Sequence, residues 1–236
     1  MNAKYTSLRS AALATLMIGA IVIAGGALSR TSQSVFVDNV AVAGNTFTTA
    51  VTFPTPTPTP TPTSTGFRSP AAHAVDSGGD GDGYERDPTF VFADDGTEAE
   101  DRDSGTNTST SCGNTGKDRH RFYNYGFSVP AGSTINGIEV RIDARVSTTS
   151  GTAFICVELS WDGGVSWTTA QTTPTLTTSE VTYVLGSSLD TWGRTWSATA
   201  ELTNPNFRVR VTDVASDPTQ RFKVDWIPVQ VTYTPP

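Results

Sequence analysis

The chain has 236 residues, but an apolar leader and a Pro/Thr tract cannot join a packed core, so what remains is one domain's worth of sequence. Its formal charge is −7, becoming −9 if Lys4 and Arg9 leave with a cleaved leader. That balance excludes a nucleic-acid partner, which needs clustered Lys and Arg to displace phosphate counterions.

In chain order, Met1 to Ser10 carries Lys4 and Arg9, and Ala11 to Leu28 is an unbroken run of apolar and small residues ending in Ala24-Gly25-Gly26-Ala27. This is the pattern of a signal peptide, residues 1–28. A run of about 18 apolar residues is also long enough for a retained membrane anchor. Both readings place the rest outside the cytoplasm, secreted or at the cell surface. Residues 29–53 are β-prone, with Val35, Phe36, Val37, Val40, Val42, Phe47, Val51 and Phe53. A strand-forming segment of this kind suits pairing with an open sheet edge on a neighbour, so self-assembly through residues 34–53 is expected.

Within that segment, Val35-Phe36-Val37-Asp38 followed by Gly44-Asn45-Thr46-Phe47-Thr48-Thr49-Ala50 resembles the start of TasA/camelysin-type precursors. The resemblance covers only these residues and implies export and assembly at the cell surface. Residues 54–66 are a Pro/Thr-rich linker whose first part alternates strictly from Pro54 to Thr63. Alternating Pro removes every second N–H and fixes φ, leaving extended polyproline II. At about 3.1 Å per residue it spans roughly 30 Å, a semi-rigid stalk.

Residues 67–236 read as all-β. Ile138, Val140, Ile142, Ala144 and Val146 alternate with Glu139, Arg141, Asp143 and Arg145, a pattern that no helix segregates onto two faces. The same period of two predicts strands over Tyr123–Val129, around Ile155–Ser160, at Val181–Leu185 and at Phe207–Val211. In the last segment the apolar phase slips at Ile227-Pro228, between Phe222–Trp226 and Val229–Tyr233, which predicts a bulge or an edge position. Six or more such strands make a two-sheet antiparallel β-sandwich, of jelly-roll type. The pieces GGDGDGYE (Gly78–Glu85), FSVPAGSTINGIEVRIDARV (Phe127–Val146), VELSWDGGVSWT (Val157–Thr168), LDTWGRTW (Leu189–Trp196) and NFRVRV (Asn206–Val211) resemble a β-sandwich domain recurrent in modular secreted and surface proteins. That resemblance implies fold and is silent on activity.

Four constellations bear on chemistry. Between Asp76 and Asp103 stand eleven carboxylates against Arg86 and Arg102. Such a concentration favours a hard cation with six to eight oxygen ligands, so calcium is the cofactor to consider. Asp76, Asp80, Asp82 and Glu85 are its first candidate ligands and Asp94 and Asp95 the next; a solvated acidic loop is the alternative. Cys112 and Cys156, the only cysteines in an exported chain, are expected to form a disulfide. Ser160-Trp161-Asp162-Gly163-Gly164-Val165-Ser166-Trp167 fits the Asp-box of sialidase propellers, in which Ser160, Asp162, Gly164 and Trp167 would build a hairpin. Trp161 and Trp192 could form an aromatic platform for a glycan. No zinc spacing, nucleophile elbow or phosphate loop is present. The features sum to a surface or matrix structural and adhesive module that engages a cell-surface or matrix polymer, with a calcium-dependent carbohydrate-binding module as the alternative and a secreted hydrolase of unrecognised type as a third.

Overall fold

Strand β5, Thr134–Val146, is the longest element, and it shows why the alternation builds a sandwich: Ile138, Val140, Ile142, Ala144 and Val146 are all buried. The computed structural model describes residues 58–236; the leader, the segment 34–53 expected to self-assemble and the first residues of the Pro/Thr tract lie outside them. Among the described residues no helix is long and apolar enough to cross a membrane.

The other strands are β1 (Thr63–Ser64), β2 (Ala72–Val75), β3 (Ala99–Asp101), β4 (Arg119–Tyr123), β6 (Ala153–Ser160), β7 (Gln171–Thr172), β8 (Val181–Gly186), β9 (Arg208–Ala215), β10 (Phe222–Trp226) and β11 (Val229–Thr234), with one 3-10 turn at Pro88–Val91. They form two antiparallel sheets. The first runs β1-β11-β5-β10-β3, with β8 on the other edge of β5; the second runs β2-β4-β9-β6-β7. The chain is therefore an antiparallel β-sandwich.

The interior is the apolar set that alternation selects: Ile138, Val140 and Ile142 from the first sheet and Phe122, Val157, Leu159, Val209 and Val211 from the second, in one continuous core. Each such side chain contributes about 1.5–3 kcal/mol on burial. The phase slip at Ile227-Pro228 separates β10 from β11, which lie end to end along the same edge of β5, and the register also shifts between Val224 and Trp226. Proline is harmless there because it sits in the break, outside the ladder.

One expected strand is corrected. Tyr123–Val129 alternates in sequence, yet β4 ends at Tyr123, because Asn124 and Gly126 both adopt left-handed backbone, φ 63° in each case. Tyr125 and Phe127 still face inward, stacked on each other and edge-on to Phe207. The alternation reports burial correctly, and the backbone achieves it without a ladder.

The disulfide Cys112–Cys156 is present with a sequence separation of 44, tying the polar loop before β4 to the outward face of β6. By loop-closure entropy a link of this length stabilises by about 3–4 kcal/mol.

Candidate metal centre

Three stretches of chain that are distant in sequence meet where the edges of the two sheets come together. The first is the Gly-rich loop after β2. Gly79 holds φ 58°, and a Cβ there would overlap the Asp118 carboxylate, so only glycine lets the loop lie against that group. The second is the turn that follows β3, Asp101 to Gly105. The third is Lys117-Asp118, leading into β4, where Asp118 O accepts Asp213 N–H from β9 at 3.1 Å.

These stretches gather five aspartates in two groups of three that share one member: Asp80, Asp82 and Asp118, and Asp101, Asp103 and Asp118, with carboxylate oxygens inside each group within 4.8 Å of one another. Backbone donors orient the set. Asp80 N–H donates to Asp118 Oδ1 at 3.2 Å, Asp82 N–H to Asp80 Oδ1 at 3.3 Å, Asp103 N–H to Asp101 Oδ1 at 3.1 Å and Gly105 N–H to Asp103 Oδ1 at 2.9 Å. Asp101 and Asp118 are each 1% exposed, yet Oδ2 of both has no hydrogen-bond partner among the described residues. A buried carboxylate oxygen left without a donor is costly, and such an orphan points to a missing ligand.

Electrostatics point the same way. Burial, and then the charges of Asp80, Asp103 and Asp213, push Asp118 up to about 8. Burial and the neighbouring Asp80 push Asp82 up to about 6, and burial with Asp213 raises Asp101 well above the usual carboxylate range. Asp213, whose Oδ1 accepts the Tyr84 hydroxyl at 3.1 Å, is raised to about 7 by burial. Like charges this close need a proton or a cation between them. The nearest cation is Lys117, fully buried, but its Nζ donates elsewhere: to Ser104 Oγ at 3.2 Å, Asn107 O at 2.6 Å and Ala215 O at 2.7 Å. An all-carboxylate donor set suits a hard cation, calcium above softer metals.

The ligand set read from sequence changes accordingly. Asp80 and Asp82 belong to the cluster. Asp76 does not, because it pairs with Arg210 at 3.3 Å. Glu85 accepts Arg102 N–H at 3.2 and 3.1 Å and pairs with the Arg102 side chain. Asp95 caps Thr97 N–H at 3.0 Å, and with Asp94 it lies beside Asp225, which accepts Gly96 N–H at 3.1 Å. Asp101, Asp103 and Asp118 are the members that sequence reasoning missed. The Asp-x-Asp spacing followed by Gly, shared by Asp80–Gly83 and Asp101–Gly105, was a signal for two of them; nothing in the sequence marked Asp118.

The stretch Ser160–Trp167 folds as a turn closed by its own side chains. Asp162 Oδ1 accepts Val165 N–H at 3.1 Å and Ser166 N–H at 2.8 Å, and Ser160 Oγ, 3.0 Å away, also accepts Gly164 N–H at 2.8 Å. Trp167 lies under the Arg210 guanidinium, 4.1 Å from its ring centre.

The paired-tryptophan platform is corrected. Trp192 is 5% exposed, its Nε1–H donating to Ile138 O at 2.9 Å, and Arg194 covers Trp161 at 3.8 Å. A different polar and aromatic surface occupies the outward side of the second sheet. There Arg121 stands beside Arg210 and Glu158, and Tyr123 beside Arg208, whose guanidinium lies 3.9 Å over the ring. Arg210 bridges Asp76 and Glu158.

The two histidines face each other: His73 Nδ1 and His120 Nε2 are 3.0 Å apart, and Tyr84 N–H donates to His120 Nδ1 at 3.1 Å. With Nδ1 accepting, His120 carries its proton on Nε2. Burial, with His73 adding to it, lowers His120 to about 3.

No family model matches the chain, and no curated protein matches it. Among solved structures it is similar to the Clostridium thermocellum N-terminal endo-1,4-β-D-xylanase 10B, CBM22-1–GH10 modules complexed with xylohexaose, at 13% identity, covering 56% of this chain and 23% of that one, with a TM-score of 0.25. A superposition that loose transfers neither ligand nor activity.

Proposed function

We propose that the chain is a non-catalytic, calcium-stabilised binding module, carried outside the cytoplasm on its Pro/Thr stalk, that engages a polysaccharide. The observation that carries this reading is the aspartate cluster with its two orphaned oxygens: a fold that buries Asp101 and Asp118 beside other carboxylates is completed by a divalent cation. Calcium there would tie the turn after β3, in the first sheet, to the start of β4, in the second.

Catalysis finds little support among the described residues. Both cysteines are in the disulfide, and the histidines are engaged with each other. The outward side of the second sheet supports the ligand class. Planar guanidinium groups stacked on Tyr123 and Trp167, with Glu158 beside them on a rigid sheet, supply a flat polar surface with the directional hydrogen bonds that sugar hydroxyls use. Glycan-array binding by the full chain, with calcium and then with chelator, tests the reading. Retention of polysaccharides that is lost on Arg208→Ala plus Tyr123→Ala supports it; no glycan bound in either condition overturns the ligand class.

A further inference from the structure

We infer that the cluster holds two divalent cations, an inner and an outer one, with Asp118 bridging them. The inference rests on the calcium reading above and goes beyond it in number, order and exchangeability.

Asp118 is the one residue common to both groups of three. Each of Asp80, Asp101, Asp103 and Asp118 has one oxygen fixed by a backbone N–H, which leaves the other to ligate. That is the arrangement of carboxylates oriented before an ion arrives, since the backbone sets the angle and the second oxygen remains open. The two groups differ in access. Asp101 and Asp118 are buried and Asp103 half-buried, so an inner ion would be almost closed off by protein; Asp80 and Asp82 are exposed, so an outer ion would keep water on its open side.

Charge argues for two. The five carboxylates of the two groups, with the buried Asp213 beside Asp101, face one ammonium group, that of Lys117, so when all are ionised one dication leaves a net charge of −3, whereas two bring it to −1. A single ion in the inner group takes up both orphaned oxygens but leaves Asp80 and Asp82, which belong to the outer group alone, without a cation. Asp118 Oδ2 is open to the inner ion, while Oδ1, which accepts Asp80 N–H, lies on the side of the outer group and has a second lone pair for the outer ion.

The order of binding follows from the same geometry. The inner ion loses more water and gains the two buried oxygens, so it binds more tightly and leaves more slowly. The outer ion is the exchangeable one, and its water positions are open to a ligand hydroxyl.

Native mass spectrometry of the full chain over a calcium chloride titration decides the matter. Two calcium ions are expected at saturation, with affinities at least tenfold apart. Asp82→Asn should remove the weaker ion and keep the tighter, Asp103→Asn should lower the affinity of the tighter ion at least tenfold, and Asp118→Asn should abolish both. One ion at saturation in the natural sequence overturns the two-ion inference while leaving the calcium reading intact; no ion overturns both. Loss of all calcium in Asp82→Asn would mean a single shared ion and also overturns the inference. Should Asp118→Asn fail to fold, the Asp82→Asn and Asp103→Asn stoichiometries still decide.

Discussion

Two turns in this molecule are built on aspartate, and they have opposite needs. In the turn at Ser160–Trp167, Asp162 takes hydrogen bonds from Val165 N–H, Ser166 N–H and the Ser160 side chain; burial is the largest single influence and pushes its carboxyl up, but those bonds together outweigh it and hold the carboxyl below its usual range. In the cluster, each oriented carboxylate has one donor and a second oxygen facing its own kind, and Asp118 is pushed up to about 8. What separates a folding device from a ligand site is thus not the number of acidic residues but whether their oxygens are satisfied by the chain itself.

The largest expected effect breaks that contrast at the cluster. Chelation should lower the melting temperature of the natural sequence by roughly 5–10 °C, from about 2.7 kcal/mol of binding stabilisation at a hundredfold excess of calcium over Kd and about 2–4 °C per kcal/mol for a domain of this size. Differential scanning calorimetry with and without chelator measures it, and equal curves would remove calcium as a stabilising element. The Asp-box should behave otherwise. Asp162→Ala should cost about 1–3 kcal/mol, the loss of charge-assisted bonds to a turn, and the loss should be the same in calcium and in chelator. A calcium-dependent loss would show that the two turns are not independent.

The pH dependence sharpens the comparison further. Asp118 titrates in the fold at about 8 and Asp82 at about 6, against about 3.9 in an unfolded chain. Between those limits the folded metal-free protein holds more protons than the unfolded one, so its stability falls as pH rises. His120, lowered to about 3, has the opposite sign: it adds stability as pH rises towards 6.5 and contributes no further change above that. The interval from pH 7 to 8 therefore reports the cluster together with Asp213, raised to about 7 beside it. In chelator the melting temperature should drop across it, and in saturating calcium it should stay level; a level curve in chelator would contradict the weakened acidity of Asp118. The smallest effect is a null one. Asp94→Asn plus Asp95→Asn should leave calcium affinity unchanged in a calorimetric titration, because both lie beside Asp225 and away from the cluster.

That null result also marks how far the sequence could be read. The sandwich is legible because β5 and β9 alternate over long runs, and a period of two admits few other structures. The region from Tyr123 to Val129 is not, since alternation predicts which residues face inward but is blind to the left-handed backbone at Asn124 and Gly126. The disulfide was legible from the cysteine count and the expected export. The cluster was half legible: Asp80 and Asp82 announce themselves in a Gly-Asp-Gly-Asp-Gly run, whereas Asp101 and Asp103 are lost among other carboxylates and Asp118 lies beyond a Ser/Thr-rich loop. Its place is set by the pairing of β4 with β9, a long-range contact with no local signature. Trp192 misled because an aromatic residue in a turn looks exposed until its indole N–H finds Ile138 O inside.

Where the stalk meets the sandwich, the junction has a mechanical consequence. β1 pairs with β11 through only two residues, Thr63 opposite Tyr233 and Ser64 opposite Thr232, and is reinforced by Thr65 N–H to Val231 O at 3.0 Å and the reciprocal Arg68–Val229 bonds at 2.9 Å. A tug on the stalk reaches these few bonds before it reaches β2 and the core. Their rupture would pay out the chain from Thr63 to about Ala71, some 25–30 Å of slack at about 3.3–3.6 Å per residue, while both sheets stay closed. Under load the module would lengthen before it unfolds, and force spectroscopy on the full chain would record that as a short first step ahead of the main rupture.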